Sequence, residues 1–208
     1  MDETVTDKVD ENVREAVQMP DKADEEIREA VKGPKNRALL EIIIYVIFAI
    51  LFVKLVPEYV FERVSVDGES MCNTLQDGDQ LIGGKISVHL HKIERYDIVY
   101  FYPQGNTNSE AFIKRIIGLP GETVQIVDSV IYINGEPIDD PYAAEPEFEG
   151  YMAEDVITLG EDEYFVLGDN RNHSSDSRRQ AVGIVDYEDI IGKAVFRIWP
   201  LSSFGSID

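Results

Sequence analysis

From Ala38 to Val56, nineteen consecutive residues carry only two charged side chains, Glu41 and Lys54, and both lie near the ends. The inner run Ile42–Val53 is unbroken apolar. That core alone would suit a buried helix or the middle of a signal peptide, but with its flanks the segment reaches ~28 Å at ~1.5 Å rise per residue, enough to cross a bilayer core. Lys54 can reach the membrane surface along its methylene stem, and Pro57 is expected to end the helix. No small-x-small cleavage site follows in "VKLVPEYVF". Lys22, Arg28, Lys32, Lys35 and Arg37 precede the span within ~20 residues, against Lys54 and Arg63 after it. The bias predicts a single-pass protein of the cell membrane, with a cytoplasmic N-terminus and an extracytoplasmic remainder.

The chain therefore reads as a tail (1–37), a transmembrane helix (38–57) and a folded domain (58–208). In the tail, "DKVDENVREAVQ" (7–18) recurs as "DKADEEIREAVK" (21–32), and Pro20 separates the copies. Val9, Val13 and Val17 match Ala23, Ile27 and Val31, so each copy can form a short amphipathic helix. Helices this short are marginal alone in water, which leaves a solvated acidic tail as one reading and a docking helix for a partner as the other.

Beyond residue 58 the pattern is β-rich. "QLIGGKI", "DIVYFYP", "VQIVDSVIYING", "EYFVLGD" and "GKAVFRIWP" are short, β-branched or aromatic, and punctuated by Gly, Pro, Asn and Asp. Asn134-Gly135 within "INGEPI" predicts a tight hairpin. Only "DYEDII" (186–191) suggests a helix. The expected fold is a mainly β, partly closed domain with long loops. A formal charge of −21 argues against general nucleic-acid binding, which needs clustered cations. Cys72 is the only cysteine, so neither an intrachain disulfide nor a Cys-rich metal site can form.

Three polar clusters interrupt this pattern. Ser70 follows Gly68 and precedes the turn signal Asp77-Gly78-Asp79, either as part of a plain hairpin or as a nucleophile at a strand end. Lys114 lies inside the apolar run "AFIKRIIG". It either points to solvent from an edge strand or points inward, where desolvation would lower its pKa and make it a usable base. The loop "VLGDNRNHSSDSRRQAVG" packs Asp169, Asn170, Arg171, Ser174, Asp176 and Arg178 together, a density that suits loop knitting or the support of an active site.

In order behind an apolar anchor, "GESMCNTL", "RYDIVYF", "FIKRIIGLPGETV" and "LGDNRNHSSDSR" resemble the bacterial type I signal peptidases, membrane-bound Ser-Lys endopeptidases. The resemblance runs over about residues 38–200. It implies that Ser70 attacks the scissile carbonyl and Lys114 acts as general base, with no histidine required. It implies that the Ser174 hydroxyl holds the lysine amine and that the Ser70 N–H meets the oxyanion. Val66, Met71, Leu75, Phe112 and Ile113 match substrate-pocket positions that favour Ala-x-Ala sites, and Arg115, Asp169, Arg171, Asp176 and Arg178 match structural charges. The substrates implied are exported preproteins, bound as an added β-strand, with the lipid bilayer and the secretion translocon as candidate partners. No cofactor or metal is implied. Gly68 stands where one branch of the family has a serine, which leaves a second oxyanion donor unassigned, and Asn73 replaces a usual proline.

Other residues invite plainer readings. Cys72 has no marked histidine partner and reads as packing or surface. His89 and His91 are expected on one face of a strand, without a third ligand for a metal. Asn172-His173-Ser174 matches a glycosylation sequon inside the proposed catalytic loop, and Asp77-Gly78-Asp79 lacks calcium-loop spacing. Self-cleaving Ser-Lys repressors and a non-enzymatic membrane-tethered scaffold are the rival functions. The former are soluble and carry DNA-binding or regulatory segments; the latter requires neither Ser70 nor Lys114. The eukaryotic-type branch of the family has histidine in place of Lys114. Residues about 126–164 are expected to form a small non-catalytic insert containing an acidic loop, "EPIDDPYAAEPEFEGYMAED".

Overall fold

The structure, a computed structural model, describes residues 34–207; the N-terminal repeat lies outside the described residues. It divides into two compact units, one ending at Lys54 and the other beginning at Leu55. Helix α1 spans Pro34–Tyr59, and its stretch Arg37–Val56 is long and apolar enough to cross a membrane. Its side chains from Arg37 to Leu55 are exposed, including Tyr45 and Phe48. Pro57 does not end the helix, which runs on to Tyr59. A proline near a helix terminus forfeits a backbone bond to the preceding turn without breaking a long ladder, so the last turn survives it.

The second unit is built on antiparallel strands. The larger sheet contains β1 (Phe61–Ser65), β2 (Gln80–Gly84), β3 (Ile98–Phe101), β4 (Phe112–Gly118), β9 (Glu163–Leu167), β10 (Val185–Asp186), β11 (Ile190–Trp199) and β12 (Gly205–Ser206). Their order is β1-β2-β11-β3-β4-β9-β10, with β12 added to β11. β11 pairs with β2 on one side and β3 on the other, with register shifts against both. Such irregularities bend a strand, and they let this sheet curl. The smaller sheet has the order β7-β6-β5-β8, from β5 (Thr123–Val127), β6 (Val130–Ile133), β7 (Glu136–Pro137) and β8 (Ile157–Thr158).

The two sheets share apolar packing. Ile126, Ile131 and Leu159 of the smaller sheet region cluster with Ile117, Phe165 and Leu167 of β4 and β9. The insert is thus fused to the back of the strands that carry the polar motifs. The Asn134-Gly135 hairpin is present, with φ of 52° and 80° at the two residues. "DYEDII" forms only a single 3₁₀ turn at Tyr187–Asp189 before β11 begins. His89 ends a four-residue helix, α2 (Ile86–His89), and His91 stacks on Tyr187, so these histidines do not share a strand face.

Candidate active site

β4 decides the fate of Lys114. The strand lies between β3 and β9, its residues from Ile113 to Gly118 are buried, and Lys114 is only 4% exposed. The inward reading is therefore the one the fold adopts. The Lys114 Nζ lies 2.8 Å from Ser70 Oγ and 2.9 Å from the Ile113 carbonyl oxygen. Burial lowers the lysine pKa from 10.5 to about 8, although the carboxylates of Asp176 and Asp169 oppose the fall. Near neutrality and above, an appreciable fraction of the amine is unprotonated and can accept a proton from a hydroxyl at hydrogen-bond distance.

Ser70 is held by a loop closed on itself. Val66 N–H donates to the Asp79 carbonyl, Gly78 N–H to the Val66 carbonyl, and Gly68 N–H to Asp77 Oδ1 at 2.9 Å. Gly68 has φ of 86°, a left-handed conformation that glycine adopts without steric cost. Leu75 anchors the loop from below, fully buried with Met71, Leu81 and Tyr100.

Ser70 and Lys114 face a cleft of about 510 Å³. Four of the five expected pocket residues, Val66, Met71, Phe112 and Ile113, line it. Leu75 does not, because its side chain points into the core beneath the loop. The cleft runs between two strand edges. β1 pairs with β2, and no strand among the described residues pairs with its other edge. In β4, residues 112–114 pair with β3, whereas β9 pairs only from Arg115 onward. An extended peptide laid between these edges finds backbone donors and acceptors on both sides.

The charged residues of β4 and of the loop after β9 pair with one another and with neighbouring loops. Arg115, next to Lys114, donates two bonds to Asp169, at 2.8 and 2.7 Å, and both residues are fully buried. Thr74 Oγ1 also donates to Asp169, which ties the serine loop to the same carboxylate. Asp176 accepts from Arg178 at 2.8 Å and from the Gly168 N–H at 3.1 Å. Arg171 pairs with Asp140. Ser174 is buried near the site, but its hydroxyl has no hydrogen-bond partner among the described residues, so it does not hold the Lys114 amine in this structure. Ser174 and the Ser70 carbonyl both pack against Gly168, where an added Cβ would lie 2.6 Å from Ser174 Cβ and 2.5 Å from the Ser70 oxygen.

Sequence reasoning missed three contributors, Tyr142, Asp140 and Tyr100. Tyr142 stacks on the Arg115 guanidinium at 3.6 Å, and Asp140 is the partner of Arg171, so part of the acidic insert loop buttresses the site. Tyr100 lies in the cleft floor, its ring pressed on Gly83 and Gly192. None of these contacts had a local signal, because each depends on a strand or loop distant in sequence. Among the described residues no group of His, Cys, Asp and Glu is arranged to hold a metal.

The model of the signal peptidase family, peptidase S26, matches residues 39–199. The chain belongs to that family. A signal peptidase I of Leptolyngbya laminosa is 42% identical over 155 residues, covering 72% of this chain and 74% of the relative. A signal peptidase I of Bacillus licheniformis is 34% identical over 181 residues, covering 84% of this chain and 96% of the relative. A crystal structure of a signal peptidase I from Enterococcus faecalis V583 is 36% identical, with a TM-score of 0.41, over 49% of this chain and 96% of that one. The chain is accordingly a serine endopeptidase of the bacterial signal peptidase type.

Proposed function

We propose that this protein removes signal peptides from exported preproteins by a Ser70–Lys114 dyad. The observation that carries the reading is the 2.8 Å contact between Ser70 Oγ and a buried Lys114 amine at the wall of a peptide-sized cleft. Neutral Lys114 takes the Ser70 proton as Oγ bonds to the scissile carbonyl carbon. The carbonyl oxygen becomes an oxyanion, which the Ser70 N–H meets. Lys114, now an ammonium, gives its proton to the leaving amine as the C–N bond breaks, leaving an acyl ester on Ser70. A water then loses its proton to Lys114 and attacks the ester, releasing the signal peptide and restoring both side chains.

The substrate lies extended between β1 and the start of β4, with Val66, Met71, Phe112 and Ile113 accepting small side chains. This favours Ala-x-Ala sites. Arg115, Asp169, Arg171, Asp176 and Arg178 hold the strands and loop in register rather than touching substrate. Ser174 stands close enough to the nucleophile loop to assist once its hydroxyl turns toward the amine. With a tail (1–37), a transmembrane helix (38–57) and a catalytic domain (58–208), the excess of Lys and Arg before the span favours a cytoplasmic tail and an extracytoplasmic site. The lipid bilayer, through the apolar span, and the secretion translocon are the partners proposed beside the preproteins.

The test is cleavage of a preprotein by the full chain in detergent, with mass determination of both fragments. Release of the mature chain after an Ala-x-Ala site supports the reading; an intact preprotein, or cuts scattered through unfolded segments, would sink it.

A further inference from the structure

One residue of the loop after β9 grips the nucleophile's backbone on both sides. The Asn170 N–H donates to the Ser70 carbonyl oxygen at 3.0 Å, and Asn170 Nδ2 donates to the Glu69 carbonyl oxygen, also at 3.0 Å. We propose that Asn170 is a positioning residue that holds both peptide planes flanking Ser70 and thereby fixes the direction of the Ser70 N–H. The inference rests on the dyad reading above and deepens it.

The Glu69–Ser70 bond is trans, so its carbonyl oxygen and the Ser70 N–H point to opposite sides of one rigid plane. Anchoring the oxygen aims the hydrogen. The Ser70 N–H itself bonds to no acceptor among the described residues, which leaves it open to an oxyanion. A second donor, the Cys72 N–H, reaches the Glu69 oxygen at 3.1 Å, but it belongs to the same loop and cannot fix that loop against the sheet. Asn170 can, because its neighbour Asp169 is locked to Arg115 of β4 by two hydrogen bonds. Lys114 precedes Arg115 on that strand, so the base and the clamp take their positions from one element. Gly168 permits the approach, since a Cβ there would lie 2.5 Å from the Ser70 oxygen.

The test compares the full chain in detergent as wild type, Asn170→Ala and Asn170→Asp. Asn170→Asp keeps the side chain's shape and removes the Nδ2 donor to the Glu69 carbonyl, and both variants keep the backbone N–H donor to the Ser70 carbonyl. Preprotein cleavage is read as separate kcat and KM, and backbone hydrogen exchange is followed over residues 66–76. Because an ill-placed reacting group can cost ~10²-fold and a lost oxyanion donor ~10²- to 10³-fold, both variants are expected to lose ~10- to 100-fold in kcat with KM within ~2-fold. Exchange should quicken in 66–76 and stay unchanged elsewhere. Wild-type kcat in Asn170→Asp, a loss confined to KM, or exchange that rises throughout the domain would each overturn the proposal. If wild type itself fails to cleave, the dyad reading falls, and the exchange data alone still decide whether Asn170 clamps the loop.

Discussion

Replacing Lys114 by methionine keeps a long apolar stem and removes the buried amine, and it should make the protein more stable near neutral pH while abolishing cleavage. Burial lowers the Lys114 pKa from 10.5 to about 8, which corresponds to ~3 kcal/mol of extra cost for the charged over the neutral amine in the folded chain. Below about pH 8 the folded chain carries the ammonium and bears that cost in full. Between about pH 8 and 10.5 the unfolded chain binds the proton and the folded chain does not, so wild-type stability rises with pH across that window. Methionine has no such dependence. The variant should therefore exceed wild type at pH 7 by up to ~3 kcal/mol, less ~1 kcal/mol for the hydrogen bond lost at Ser70. That advantage should shrink by ~3 kcal/mol by pH 10.5. Urea unfolding of both full chains in detergent, followed by circular dichroism at several pH values, measures the difference while all other titrations cancel. A difference that does not change between pH 7 and 10.5 would refute the claim that Lys114 is neutralised by burial.

Three further outcomes follow from the same geometry. Wild-type kcat/KM for a preprotein should climb about tenfold per pH unit on the acid side and level off above about pH 8, as Lys114 loses its proton; a plateau already reached at pH 6 would contradict this. Asp169→Ala leaves Arg115 charged and buried without its partner, so thermal or urea unfolding should show a loss of ~3 to 5 kcal/mol, and the pair replacement Arg115→Met with Asp169→Leu should lose less. Gly192→Ala would set a Cβ 2.6 Å from Tyr100 Cζ; it should cost ~1 to 3 kcal/mol, and Tyr100→Leu in the same chain should recover part of it.

What the sequence disclosed depended on how local each cause was. The apolar span and the Asn134-Gly135 hairpin were legible because length and positive φ are set by a few adjacent residues. Lys114 was ambiguous because its direction is decided by β3 and β9, the latter some fifty residues away, not by "AFIKRIIG". Matching motifs named Leu75 and Ser174, but burial of Leu75 beneath the loop and the unpartnered hydroxyl of Ser174 emerge only from packing. The stack of Tyr142 on Arg115 joins the acidic loop to the site with no periodic signal at all.

The most direct test of the account is preprotein cleavage by wild type, Ser70→Ala and Lys114→Ala, each shown to be folded by circular dichroism. The account predicts release of the mature chain by wild type and loss of that product in both variants. Cleavage that persists in folded Ser70→Ala, or in folded Lys114→Ala at an unchanged rate, would contradict it.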